Sequence, residues 1–169
     1  VLAGLYTETN NIGFVASIPI PDVIVAIDAF TLGAQSVNED VAVNVVFTGS
    51  WDDTGLQTTS CNQLINDGAD IIAPFQDTIK TIVEICAANG VSVIGSMDVG
   101  LEDLGTYGDS VSEEIRSQVD AVKQQILDGT FHVFEGPVYD QNGNEVIASG
   151  VVPTFEEINN FNFLVQGVN

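Results

Sequence analysis

Positive charge is what this sequence has least of. Among 169 residues, three cations (Lys80, Lys123 and Arg116) stand against 24 Asp and Glu, for a formal net charge of −21 at pH 7. Nucleic-acid and anionic-membrane surfaces rely on clustered cations that displace counterions, so three scattered ones exclude both partners. The same field repels phosphorylated ligands and leaves neutral or cationic small molecules. Carboxylates with almost no lysine suit a salty or acidic medium, where screening or protonation relieves self-repulsion. Histidine is nearly absent too: His132 is the only one, far along the chain from any candidate nucleophile, and it reads as a structural residue in a strand. Two cysteines without a Cys-x-x-Cys or His-x-x-x-His pattern leave no transition-metal site, and neither a Gly-x-Gly-x-x-Gly nor a Walker pattern occurs. No catalytic set, metal or cofactor is therefore expected. No apolar run approaches the roughly 20 residues of a spanning helix, and no basic-then-apolar leader opens the chain.

Hydrophobic residues make up 45% of the chain, enough for the core of one domain. Short β-branched runs at about 12–17, 41–47, 69–73 and 91–95 alternate with segments of helical period, the pattern of βαβ units. The runs are nearly continuous in apolar residues, as in a parallel sheet with helices on both faces. The first helix follows Pro21 and Asp22, with Val23, Ile27, Phe30 and Ala34 on one face. A second presents Cys61, Leu64 and Ile65 before Gly68. Asp77 is placed to cap a third, whose stripe is Ile79, Ile82, Val83 and Cys86 and which Gly90 stops. A fourth starts at Ser110 or Ser112 and carries Val111, Ile115, Val119, Val122 and Ile126 as its buried face. Beyond Gly129 the expectation is a hairpin of strands 131–138 and 145–148 joined through Asn142-Gly143. A short helix from Thr154, with Glu157 completing a capping box, is expected to dock Phe155, Ile158, Phe161 and Phe163 on the body. The fold class is α/β, a doubly wound parallel sheet with a short C-terminal hairpin and helix. Val1 to Thr9 reads as the last turns of an entering helix.

In such a sheet, ligands bind outside the carboxyl ends of the strands. That rule selects Ser17–Pro21, Thr48–Asp53, Pro74–Asp77 and Ser96–Asp98, followed by the loop to Asp109. Trp51 and Phe75 are rings able to stack, Gln76 is an amide, and Asp77, Asp98 and Asp109 can accept from hydroxyls or amines. A neutral, planar, hydroxyl-bearing ligand fits these groups. Each also has a plainer reading, in which Asp77 only caps and the rings only pack. Cys61 and Cys86 fall on the apolar faces of consecutive helices, either as two buried thiols or as a bonded pair.

Leu2-Ala3-Gly4-Leu5-Tyr6-Thr7, Ile12-Gly13-Phe14-Val15, Pro19-Ile20-Pro21-Asp22-Val23-Ile24, Ala29-Phe30-Thr31-Leu32-Gly33-Ala34, Thr48-Gly49-Ser50-Trp51, Gly68-Ala69-Asp70-Ile71-Ile72 and Leu127-Asp128-Gly129-Thr130-Phe131 occur in order. So do Gly136-Pro137-Val138-Tyr139-Asp140 and Phe163-Leu164-Val165-Gln166-Gly167-Val168. Together they resemble the BMP (basic membrane protein, Med-type) family of substrate-binding lipoproteins of ABC transporters. The resemblance implies a type I periplasmic-binding-protein fold: two α/β lobes around a cleft, lipid-anchored outside the cytoplasm, passing a ligand, usually a purine nucleoside, to an ABC permease. It implies that residues 1–169 form the second lobe with its C-terminal returns, without the first lobe, and that the uncovered surface is able to self-associate. The family's ribose-contacting Asp falls at or beside Asp98, in Ser96-Met97-Asp98-Val99 where relatives read Asp-Ser-Asp. Asp77 matches a His-Thr-Asp-Ser-Pro stretch that here reads Phe75-Gln76-Asp77-Thr78-Ile79. Tyr107-Gly108-Asp109-Ser110 stands where nucleoside binders carry Lys or Trp. These departures leave the ligand open. Two other readings stand beside this one: a ligand-sensing module of a signalling protein, and a small α/β enzyme using Asp77 and Asp98.

Overall fold

The computed structural model describes residues 1–95 and 107–169. Ser96, Met97 and Asp98 lie outside the described residues. After a short helix α1 (Leu2–Tyr6), the chain runs β1 (Asn11–Ala16), α2 (Pro21–Gln35), β2 (Ala42–Phe47), α3 (Thr54–Asn66), β3 (Ile71–Phe75), α4 (Lys80–Asn89) and β4 (Ser92–Val93). The four strands form a parallel sheet in the order β2-β1-β3-β4. The chain steps from β1 out to β2, then back across to β3, so successive crossovers lie on opposite faces.

Alternation along β1 shows the two faces directly. Ile12, Phe14 and Ala16 point into a cluster with Val23, Ile27 and Ala34 of α2, whereas Val15 faces Cys61, Leu64, Ile82 and Cys86 of α3 and α4. Gly13 shares the second face. A Cβ there would come within 2.9 Å of the Leu64 Cβ, so the missing side chain is what lets α3 lie close to the sheet.

Local chemistry sets the helix starts. Pro21 occupies the first turn of α2, and the Asp53 carboxylate accepts from Leu56 N–H at the head of α3. The expectation fails at α4: its N-cap is Ile79, with no side-chain cap, and Asp77 is an exposed loop residue two positions earlier. The fourth strand is also shorter than expected, although the Ile94 N–H still donates to the Ile72 carbonyl.

Helix α5 (Glu113–Leu127) is capped by Ser112, but its apolar stripe is only partly used. Val119 is buried, while Ile126 is 50% and Leu127 68% exposed. Beyond it, the 131–138 strand is reduced to β5 (Val138–Tyr139), which pairs antiparallel with β6 (Glu145–Ile147). Phe134 turns inward to meet Phe161 edge-on at 5.4 Å, and His132 is exposed rather than built into a strand. The Asn142-Gly143 turn forms as expected: the Asp140 carboxylate accepts from the Asn142 and Asn144 amides, and Gly143 takes φ 78°. Thr154 and Glu157 make the capping box of α6 (Phe155–Ile158), yet Phe155 is 80% exposed and does not dock.

The last residues return to the body. Val43 N–H donates to Gly167 O, and Asn169 N–H donates to Val43 O, so the C-terminus covers the outer edge of β2. Asp28 of α2, fully buried, accepts from the Val165 N–H at 3.0 Å. Burial pushes its carboxyl up to about 7, against the lowering effect of that bond.

Candidate functional site

The site is assembled at the carboxyl ends of the strands. Ala16 lies opposite Phe75 in the register, so Ser17 and Gln76 are the first residues past the paired strands at the point where the strand order reverses. Trp51, from the loop after β2, stands over Phe75 with ring centroids 6.2 Å apart and planes inclined at 53°. Both are half-buried. A main-chain bond from the Asp77 N–H to the Trp51 carbonyl, 2.9 Å, ties the two loops together.

Beneath the rings lies a buried polar network. Gln76 Nε2 donates to Thr48 Oγ1 at 3.1 Å, and Gln57 Nε2 of α3 donates to Gln76 Oε1 at 3.4 Å. The Thr48 hydroxyl in turn donates to Ser50 O at 2.7 Å and accepts from Ser50 N–H, which folds the Trp51 loop back on itself. Gln57 and Gln76 are 0% and 1% exposed. Two buried oxygens here, Ser17 Oγ and Gln57 Oε1, have no hydrogen-bond partner among the described residues.

The residues singled out in the sequence therefore separate. Trp51, Phe75, Gln76 and Asp77 come together. Gln76 turns its amide inward and positions the loop instead of presenting a free donor. Asp77, released from capping, offers an exposed carboxylate beside the rings. Asp109 is exposed in the turn ahead of α5, and the bonds around it run to α5: Val111 N–H and Arg116 Nη2 both donate to Gly108 O. Asp98 is outside the described residues. Sequence reading named Thr48 only as the start of the Trp51 loop and passed over Gln57, whose only signal was an amide in a helix of weak amphipathicity. It also passed over a cavity of about 430 Å³ between Pro19, Ile24 and Phe47 on one side and Asn142, Asn162 and Phe163 on the other. Two thirds of that lining comes from the C-terminal return, which no strand-end rule could place.

Among the described residues, no group of three or more His, Cys, Asp or Glu could hold a metal, and no helix is long and apolar enough to cross a membrane. The chain offers the site stacking faces, hydroxyl and amide oxygens and carboxylates, which suit capture of an uncharged ligand.

Comparison with known proteins fits this arrangement. Residues 1–127 match the family model Bmp, described as ABC transporter substrate-binding protein PnrA-like. A Haloferax volcanii protein, TsgA13, whose name assigns it to an ABC transporter as a glucose-binding protein, is 28% identical over 98% of this chain and 51% of its own length. The purine-binding protein BAB2_0673 of Brucella abortus is 24% identical over all of this chain and 60% of its own. A solved ABC transporter solute-binding protein from Conexibacter woesei has a similar fold, with a TM-score of 0.52 at 17% identity, covering 78% of this chain and 44% of that one. The chain thus spans about half the length of the curated relatives it matches.

Proposed function

The chain belongs to the Bmp family of PnrA-like ABC transporter substrate-binding proteins, and from that premise we propose that it supplies one wall of a ligand cleft closing on a purine nucleoside. The family is one of binding proteins, not enzymes, so the task is capture and release. The observation that carries the reading is the Trp51–Phe75 pair above a buried amide network at the reversal of strand order. A purine presents two flat faces to such rings, and its ribose hydroxyls donate to carboxylates of the kind Asp77 provides and Asp98 adds. A net charge of −21 selects the nucleoside over its phosphates. The opposite wall belongs to a first lobe, and closure of the two buries the ligand. The cleft opens outside the cytoplasm, where a lipid anchor holds the protein beside its permease.

A sugar is the second reading, favoured by the glucose-binding name of TsgA13. Isothermal titration of the two-lobed protein with adenosine, guanosine, adenine and glucose separates them. The nucleosides are expected to bind tightest, and Trp51→Ala to weaken them at least tenfold, about 1.4 kcal/mol, with Asp98→Ala acting in the same direction. Glucose bound best, or nucleoside affinity indifferent to Trp51→Ala, overturns the nucleoside reading.

A further inference from the structure

Cys61 of α3 and Cys86 of α4 are the chain's only two cysteines. Both are free and fully buried, with their sulfurs 3.6 Å apart. We propose that outside the cytoplasm these two thiols close to a disulfide that staples α3 to α4.

Four observations converge on this. The sulfurs are already in van der Waals contact across two adjacent helices, so a bond of about 2.05 Å needs only about 1.5 Å of further approach. Val15, Leu64, Ile72 and Ile82 pack in the same cluster as the pair, and these 169 residues hold no third cysteine to compete for either sulfur. Helix α4 buries only Ile82 and Cys86, so it is the element free to shift by that amount, and its local opening gives an oxidant access. Finally, the contact divides the roles: the hydrogen bond from Cys86 favours a thiolate on Cys61, while the same contact and burial keep Cys86 protonated.

The oxidant is a disulfide, RSSR, of the kind an oxidising compartment supplies. The Cys61 thiolate attacks one sulfur of RSSR and expels RS⁻, which takes up a proton. Cys86 then gives its proton to solvent base, attacks the mixed disulfide at the Cys61 sulfur and expels the second RS⁻. Two protein thiols become one disulfide, and RSSR becomes two RSH. The consequence reaches the site, because α3 begins just after the Trp51 loop and α4 just after Phe75 to Asp77. A covalent link between the helices fixes the spacing of those loops.

The inference stands apart from the ligand reading, since its measurement is a mass. The folded chain is incubated with oxidised glutathione, denatured, treated with iodoacetamide and weighed intact. A second arm adds oxidised glutathione during refolding from urea, when neither sulfur is shielded. The expected product in at least the second arm is two hydrogens lighter than the reduced chain and carries no alkyl group. It melts higher by on the order of 5–10 °C, a gain abolished by reductant and absent in the C61A/C86A double variant. Two alkylated cysteines or retained glutathione adducts in both arms overturn the proposal, and so does a bond that forms without raising the melting temperature.

Discussion

The two ends of the parallel sheet are built on different terms. At the amino end, polar groups bond one another between the loops: the Asp70 carboxylate accepts from the Thr7 hydroxyl and from the Glu8 and Thr9 amides. Asn38 donates to Asn10, and Asn44 donates to Asn11, whose own amide donates to Asp67 O. At the carboxyl end the Ser17 and Gln57 oxygens are buried without partners, and two aromatic rings stay half-exposed above them. The amino end holds the loops that start the strands, and the carboxyl end is the one to which we assign the ligand.

Two carboxylates sharpen the contrast, because they predict pH dependences of opposite sign. Asp28 has one donor, Val165 N–H, and an Oδ2 without a partner, and burial lifts its carboxyl from 3.8 to about 7. The fold thus prefers the neutral acid. The stability this contributes is complete below about pH 4 and drains away as pH rises toward 7, a loss on the order of 3–4 kcal/mol. Asp28→Asn keeps an acceptor for Val165 and does not ionise. It should match the wild type at pH 4 and exceed it by that order at pH 8 in urea denaturation, whereas parallel curves at the two pH values would refute the assignment.

Asp70 works the other way. Burial alone would raise its carboxyl, but the Thr7, Glu8 and Thr9 donors outweigh that and hold it below the ordinary range. Its contribution is present at neutral pH and disappears as pH falls through the carboxylate range. Asp70→Ala is expected to cost about 2 kcal/mol at pH 7 and less below pH 3, with ligand affinity untouched because the residue sits at the opposite end of the sheet. A change in affinity as large as the change in stability would show that the ends are not separate.

Most of the architecture was legible because a buried parallel strand needs a continuous apolar run and several helix starts carry their own cap chemistry. Val41–Phe47 and Pro21 at the head of α2 are examples. Asp77 stands where a cap is expected, but the helix begins three residues later, after Ile79, and the Asp77 N–H is bonded to the Trp51 carbonyl. The stripe of α5 predicted a buried face, yet periodicity reports only which residues would be covered, and Ile126 remains open. Segment 131–137 has strand composition, but it does not pair as a strand, and Phe134 packs edge-on against Phe161 instead. Within the site, the rings could be found from strand-end position alone. The polar network could not, since Gln57 reaches Gln76 only after α3 has docked on the sheet.

That network supplies the smallest expected effect and the most direct test of the contrast. Gln57 contributes one long bond to Gln76, 3.4 Å, and one oxygen without a partner. Gln57→Met keeps the volume, loses one long bond and exchanges one unpartnered oxygen, Gln57 Oε1, for another, Gln76 Oε1, so the number of orphans is unchanged and stability should fall by no more than about 1 kcal/mol. Affinity should respond more. Gln76 loses the neighbour that fixes its amide against Thr48, the Trp51 loop loosens, and the ring that would stack on the ligand is no longer held in place before binding. A severalfold loss of affinity with an unchanged melting temperature is the expected outcome from paired titration and thermal denaturation. If Gln57→Met instead costs 2 kcal/mol or more and leaves affinity intact, the amides at the carboxyl end brace the fold as Asp70 does at the amino end, and the two ends of the sheet differ in composition but not in purpose.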